Sequence, residues 1–253
     1  MNKEELLFRF CLRIADNNFI LSHRLSEMCS KGPILEEDIA MTNISLDLLG
    51  QASGFYKYCV ELENKGRTED DLAYHRNERQ FYNFQLSEQP NVNFAFVLIR
   101  QFFSDAYHYH LYEMLSNSND TTIAALAEKS LKEACYHLKH SGQLVNQLGN
   151  GTIESKCKIQ DAIDELWMYT EELFVSDEID TALLELGVIS PIEEIGEKWN
   201  KTVLDLFKKA NVFSPTQLSF QVTGSKKGLH TEHLGHILTE MQYLQRAYPD
   251  ASW

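Results

Sequence analysis

The chain has 253 residues, enough for one large domain or two small ones with a sizeable core. Hydrophobic residues make up 43% and charged residues 24%, and only five prolines and twelve glycines occur, which argues against an all-β protein with many tight turns. A formal net charge of −14 repels a phosphate backbone and makes nucleic acid an unsuitable partner.

The N-terminus, Met1-Asn2-Lys3-Glu4-Glu5, carries acids and opens an amphipathic stretch, the wrong character for a signal peptide. Apolar residues at Leu7, Phe10, Ile14, Leu21, Leu25 and Met28 predict a first helix, stopped by Lys31-Gly32-Pro33. A second helix starts near Glu36, Glu37 and Asp38, acids suited to a helix N-terminus, and runs to about Lys65-Gly66. Residues 67 to 91 are polar and less periodic, a long connection with a short helix. A third helix spans about Asn93 to Ser116 and is apolar on more than one face, as a central bundle helix would be. Its apolar run, Val92 to Phe103, is broken by Arg100 and Gln101 and is too short to cross a bilayer.

The fourth helix has the cleanest pattern, from Ile123 through Ala127, Leu131, Ala134, Leu138, Ser141 and Val145 to Leu148, ahead of Gly149-Asn150-Gly151. A fifth is expected from about Ser155 to Phe174, and another near 177 to 187. Ser190-Pro191-Ile192-Glu193 reads as a capping box with proline at the first helical position, opening a helix that uses Ile195, Trp199, Leu206 and Phe207. The stretch from Phe213 to Gly228 is irregular, and a final helix runs from about Thr231 to Tyr248. No segment of useful length alternates like a strand. The expected fold is all-α: a single domain over 1–253, with bundle helices within about 4–150 and accessory helices at 155–248.

Long helical bundles often hold two metal ions, using one carboxylate from each of two helices and Glu-x-x-His from each of the other two. One acid-x-x-His occurs here, Asp105-Ala106-Tyr107-His108, in the third helix. The fourth offers Glu133 and His137 at i and i+4, with Ala134 three residues before the histidine. The second offers Asp47, with Gly50 where a histidine would stand. His230, His233 and His236, with Glu232, drift around their helix and suit a helix face or interface better than one ion. Gly224-Ser225-Lys226-Lys227-Gly228 places two lysines between glycines at a helix N-terminus, where a phosphate or coenzyme A could bind or a turn could dock, but its spacing is not that of a phosphate-binding P-loop. The five cysteines, Cys11, Cys29, Cys59, Cys135 and Cys157, contain no Cys-x-x-Cys pair; buried thiols in a reducing cytosol are expected, and the protein reads as soluble and cytoplasmic. No Gly-x-Ser-x-Gly elbow supports nucleophilic catalysis.

Several stretches together resemble a known family: Leu46-Asp47-Leu48-Leu49-Gly50-Gln51-Ala52, Asn77-Glu78-Arg79-Gln80-Phe81, Glu88-Gln89-Pro90-Asn91, Tyr136-His137-Leu138, and the tail from Lys226-Lys227-Gly228-Leu229-His230-Thr231-Glu232-His233-Leu234-Gly235 to Glu240-Met241-Gln242-Tyr243-Leu244-Gln245-Arg246. Over nearly the whole chain the sequence resembles the C-type subunits of bacterial ring 1,2-phenylacetyl-CoA epoxidases. The resemblance implies a ferritin-like helical fold and a non-catalytic, structural role. It implies a catalytic, ferritin-like A-type partner that carries the di-iron centre and binds the CoA thioester, a further small subunit, and a reductase that draws electrons from NADPH. A homodimer is an option for the isolated chain, and no membrane partner is expected. No catalytic residue carries over. Asp47, Asp105, His108 and His137 are at most remnants of a metal site, and Lys226 and Lys227 a contact loop for CoA or a partner. The alternatives are an autonomous di-iron or di-manganese oxidase with an atypical ligand set, resting on Asp105-x-x-His108, and a CoA-binding assembly module resting on the loop 224–228.

Overall fold

The computed structural model describes residues 1–215, 220–249 and 251. Among them there are helices and 3-10 turns but no strand. In chain order the helices are α1 (Lys3–Ser26), α2 (Leu35–Glu63), α3 (Glu69–Tyr74), α4 (Gln85–Glu88), α5 (Phe94–Leu115), α6 (Thr121–Gly149), α7 (Ile153–Leu166), α8 (Glu178–Glu185), α9 (Ile192–Ala210), α10 (Glu232–Met241) and α11 (Tyr243–Ala247). They gather into two compact units: Met1–Pro90 with Gly224–Trp253, and Asn91–Thr223.

The first unit is built on the hairpin of α1 and α2. Asn2 opens α1 with a capping box: its side chain accepts from the Glu5 amide at 2.8 Å, and the Glu5 carboxylate accepts from the Asn2 amide at 3.0 Å. Small side chains let the two helices approach. The Ser22 hydroxyl donates to the Ser45 carbonyl at 2.8 Å, and the Ser45 hydroxyl donates back to the Ser22 carbonyl at 2.9 Å. The connection from 67 to 91 holds α3, a 3-10 turn at Glu78–Gln80 and α4, and it buries Leu72, Phe81 and Leu86. The C-terminal segment returns to this unit, where α10 contacts α1, α4 and the 78–80 turn and buries Leu234.

The second unit pairs α5 with α6 and packs α7 and α9 against them. Asn93 caps α5 by accepting from the Ala95 and Phe96 amides, and Asp120 caps α6 by accepting from the Ile123 amide. The apolar stripe of α9, Ile192, Ile195, Trp199, Val203, Phe207 and Ala210, is buried. Trp199 meets Phe103, Trp167 and Phe174 with ring centroids 5.3–5.8 Å apart, and its Nε1–H donates to the Phe103 carbonyl at 2.9 Å.

The structure corrects several sequence expectations. The fifth helix stops at Leu166, with 3-10 turns at Trp167–Tyr169 and Glu171–Phe174 in place of its second half. The Thr170 amide closes the first of these turns on the Trp167 carbonyl at 3.1 Å, and its hydroxyl meets the same oxygen at 2.8 Å. The final helix is interrupted at Gln242, whose buried side chain turns inward to donate to the Arg76 carbonyl at 3.0 Å. Pro191 is the N-cap residue of α9 and not its first helical residue, and Ser190 forms no capping box. Three cysteines, Cys29, Cys135 and Cys157, are exposed, because they sit in the turn after α1 and on the outer faces of α6 and α7; only Cys11 and Cys59 are buried thiols. The irregular stretch from Phe213 to Gly228 includes residues 216–219, which lie outside the described residues.

Candidate functional site in the polar interior

A buried carboxylate is costly unless donors or a cation satisfy it. Asp16, Glu88 and Asp105 are fully buried, and each has its own protein partners. The first is Asp16, in the middle of α1. Arg76 clamps it with two nitrogens: Nη1 donates to Oδ2 at 3.0 Å, and Nη2 donates to Oδ1. The Tyr56 hydroxyl donates to Oδ1 at 2.7 Å and the Tyr82 amide to Oδ2 at 2.9 Å. Arg76 is held in turn by the Leu72 and Gln80 carbonyls and lies over the Phe81 ring. Burial works against the guanidinium charge, but Asp16 beside it outweighs that and raises its pKa. Burial, reinforced by Asp16, also pushes the Tyr56 hydroxyl well above its ordinary range, so Tyr56 stays a donor.

The second carboxylate is Glu88 at the end of α4. Its Oε2 accepts from the Thr231 amide at 2.9 Å and the Thr231 hydroxyl at 2.6 Å; its Oε1 accepts from the Asn83 amide at 3.0 Å and from His230 Nδ1. His230 also faces the Phe81 carbonyl with Nε2 at 2.8 Å. Both ring nitrogens therefore meet oxygen acceptors, a geometry that only the doubly protonated imidazolium satisfies. Burial opposes that charge, but hydrogen bonding to Glu88 prevails and raises the His230 pKa.

The third carboxylate, Asp105 on α5, belongs to the second unit. Gln101 Nε2 donates to Oδ1 at 2.6 Å, and the Ser141 hydroxyl of α6 donates to Oδ2 at 2.7 Å. Burial pushes the carboxyl up to about 6, against the smaller opposing pull of His137, Ser141 and Gln101. His108, one turn further along α5, is pushed down to about 3 by burial and by nearby His137. The structure thus brings Asp105, His108 and His137 into one buried cluster. Asp47 is half-buried on α2 in the other unit, and Gly50, a turn later, is exposed with open space beside its Cα.

Lys226 and Lys227 lie in a 3-10 turn at Ser225–Lys227. Gly228 closes that turn at φ +71°, and a Cβ there would overlap the Arg79 carbonyl oxygen, so the turn sits directly on the chain's own backbone. His230 lies before α10 and turns inward to Glu88, while His236 on α10 is exposed. Sequence reasoning missed Asp16, Arg76, Tyr56 and Glu88 as site residues. The signal for Asp16 was present as Asp16-Asn17-Asn18, three consecutive polar residues that interrupt the apolar positions between Ile14 and Leu21. For Glu88 the signal lay in two separate motifs, one holding Glu88 and the other His230 and Thr231, which meet in space.

The helical architecture, with carboxylates buried in its interior, defines an all-α protein of the ferritin-like class. The chain belongs to the phenylacetic acid catabolic protein family, whose model matches residues 1–253. It is 48% identical over 247 residues to the C subunit of the 1,2-phenylacetyl-CoA epoxidase of Escherichia coli (strain K12), a match covering 98% of this chain and 99% of that protein. Family and relative place the chain in phenylacetate catabolism. Among the described residues no helix is long and apolar enough to cross a membrane.

Proposed function

We propose that this chain is a non-catalytic structural subunit of a multicomponent phenylacetyl-CoA epoxidase, and that it pairs with the di-iron subunit that carries out the oxygen chemistry. The observation that carries this reading is the state of the buried carboxylates Asp16, Glu88 and Asp105. A dinuclear iron centre needs carboxylate oxygens and imidazole nitrogens turned toward two cations. Here Arg76 supplies the positive charge at Asp16, and the imidazolium of His230 supplies it at Glu88. Asp105 accepts from a neutral amide and a neutral hydroxyl. These donor sets do not fit a di-iron group. On this reading the chain binds no cofactor, and the iron resides in the partner. Electrons from NADPH reach that partner through a separate reductase, and the assembly is completed by a further small subunit.

Co-expression with a family member that carries a full carboxylate–histidine ligand set, followed by size-exclusion chromatography and metal analysis of each peak, tests the proposal. The expected result is a stable complex whose iron is assigned to the partner, and an isolated chain with far less than one iron per molecule. Stoichiometric iron on the isolated chain, or failure of the two chains to associate, would sink it.

A further inference from the structure

We propose that the outer face of α2 is the surface on which the catalytic subunit docks, the contact being made by another helical chain of the same family. This rests on the pairing reading above and adds where the pairing occurs. The inward face of α2 is ordinary: Met41, Ile44, Leu48, Ala52 and Phe55 are buried. On an amphipathic surface helix the opposite face would be polar. In the first half of α2 it carries exposed apolar residues instead, with Thr42 and Asn43 between them and Lys57 further along. Leu35, Ile39, Leu46 and Leu49 are 70, 51, 60 and 38% exposed, and Ile34 just ahead of the helix is 56% exposed. At about 100° per residue, Leu35, Ile39, Leu46 and Leu49 fall within one stripe, roughly 21 Å long at 1.5 Å per residue. An exposed apolar stripe of this length on a helix whose other face is already buried suits a covered surface.

The area fits a helical partner. The five side chains leave on the order of 500 Å² of apolar surface open, near the upper end of what a monomer's largest patch shows. Interfaces are roughly 60% apolar, so such a patch belongs to a contact of about 800 Å² on each side, the size of a standard specific complex. The C-terminal end of the stripe has room for close approach, because the space beside Gly50, next to Leu46 and Leu49, is open. The family-like stretch Leu46 to Ala52, which no interior function absorbs, alternates between this outer face and the core. Charge selects the occupant. Glu36 and Asp47 rim the stripe, and the whole chain carries −14, so a second copy would bring like charge to like charge. A non-identical chain with a basic rim matches the face.

The test uses the full chain and the catalytic family member, with affinity read by titration. The double variant Leu46→Glu/Leu49→Glu is compared with Leu204→Glu, an equally accessible leucine on α9. Unchanged helical circular dichroism establishes that each variant is folded. The expected result is at least a hundredfold loss of affinity for the α2 variant and little change for the α9 control. If the wild type pairs and the α2 variant pairs equally well, the docking face is wrong while the pairing reading stands. If the wild type does not pair at all, the pairing reading itself fails. A wild-type homodimer that the α2 variant converts to monomer assigns the face to a second copy and overturns the choice of occupant.

Discussion

Replacing His230 with alanine is the sharpest perturbation of the interior. It removes the imidazolium that bridges the Glu88 carboxylate and the Phe81 carbonyl, and it leaves a carboxylate with no exposed side-chain surface without its cation. Breaking a buried pair in this way costs about 3–5 kcal/mol. Part of the loss is recovered if water enters, but the Thr231 amide and hydroxyl, which hold the same carboxylate, belong to the same segment and loosen with it. The damage is local, so the assay is hydrogen exchange of α10 read by mass spectrometry, not a global melt. At about 1.4 kcal/mol per decade, opening of α10 becomes at least a hundredfold more frequent in the variant. The pH dependence carries the sign. His230 is raised above its unfolded value of 6.5, so its stabilisation is complete below that pH and is lost as pH rises through the higher folded value. Wild-type α10 should therefore lose protection on the alkaline side of 6.5, beyond the intrinsic rise in exchange chemistry, and the variant should be flat. Protection of α10 that is equal in both proteins and follows the same pH course would refute the imidazolium clamp.

Four further outcomes follow from the same interior. Arg76→Ala should lower unfolding free energy by about 3–5 kcal/mol in urea titrations, whereas the paired Asp16→Asn/Arg76→Met change, which removes both charges, should cost much less. Asp105→Asn should stabilise the protein by up to about 3 kcal/mol at pH 7–8 and change little near pH 4: the raised folded value means the native state resists losing that proton, a penalty absent below 3.8 and full above about 6. His108 acts on the acid side, because its lowered value makes stability fall as pH drops from 6.5 toward about 3, and His108→Phe should flatten that limb of the stability–pH curve. Trp199→Ala should cost about 3–5 kcal/mol in the same titrations, since it empties a site ringed by Phe103, Trp167 and Phe174 and frees the Phe103 carbonyl.

How much was legible differs between periodic and non-local features. The long helices were readable because each carries its own 3.6-residue pattern, and α6 begins and ends close to where its Asp120 cap and Gly149 place it. The breaks at Leu166 and Gln242 were not readable. At each a side chain bonds to a backbone carbonyl, Thr170 to Trp167 and Gln242 to Arg76, and no proline or glycine announces the break. Asp105 and His108 could be named from one helix because their spacing is local. Asp16 and Arg76 are 60 residues apart, and Glu88 and His230 are 142 apart. No spacing rule reaches that far, although Glu88 and His230 both lie in stretches that carry the family resemblance. Exposure of the outer α2 leucines was equally hidden, since a helix apolar all round reads as central until its surroundings are known.

The return of residues 224–253 to the unit begun by residues 1–90 has a consequence for how the protein is made. Glu88 leaves the ribosome long before His230, and at roughly 5–20 residues per second the wait is about 7 to 28 seconds. During that interval the nascent first unit holds a carboxylate in an apolar setting with neither Thr231 nor imidazolium to meet it, so it has reason to stay loose. Arrival of the tail closes the pair and lets the unit set. A chain that stops before residue 230 lacks both the His230 and the Thr231 partners of Glu88, so closure of the first unit waits on a segment made more than a hundred residues later.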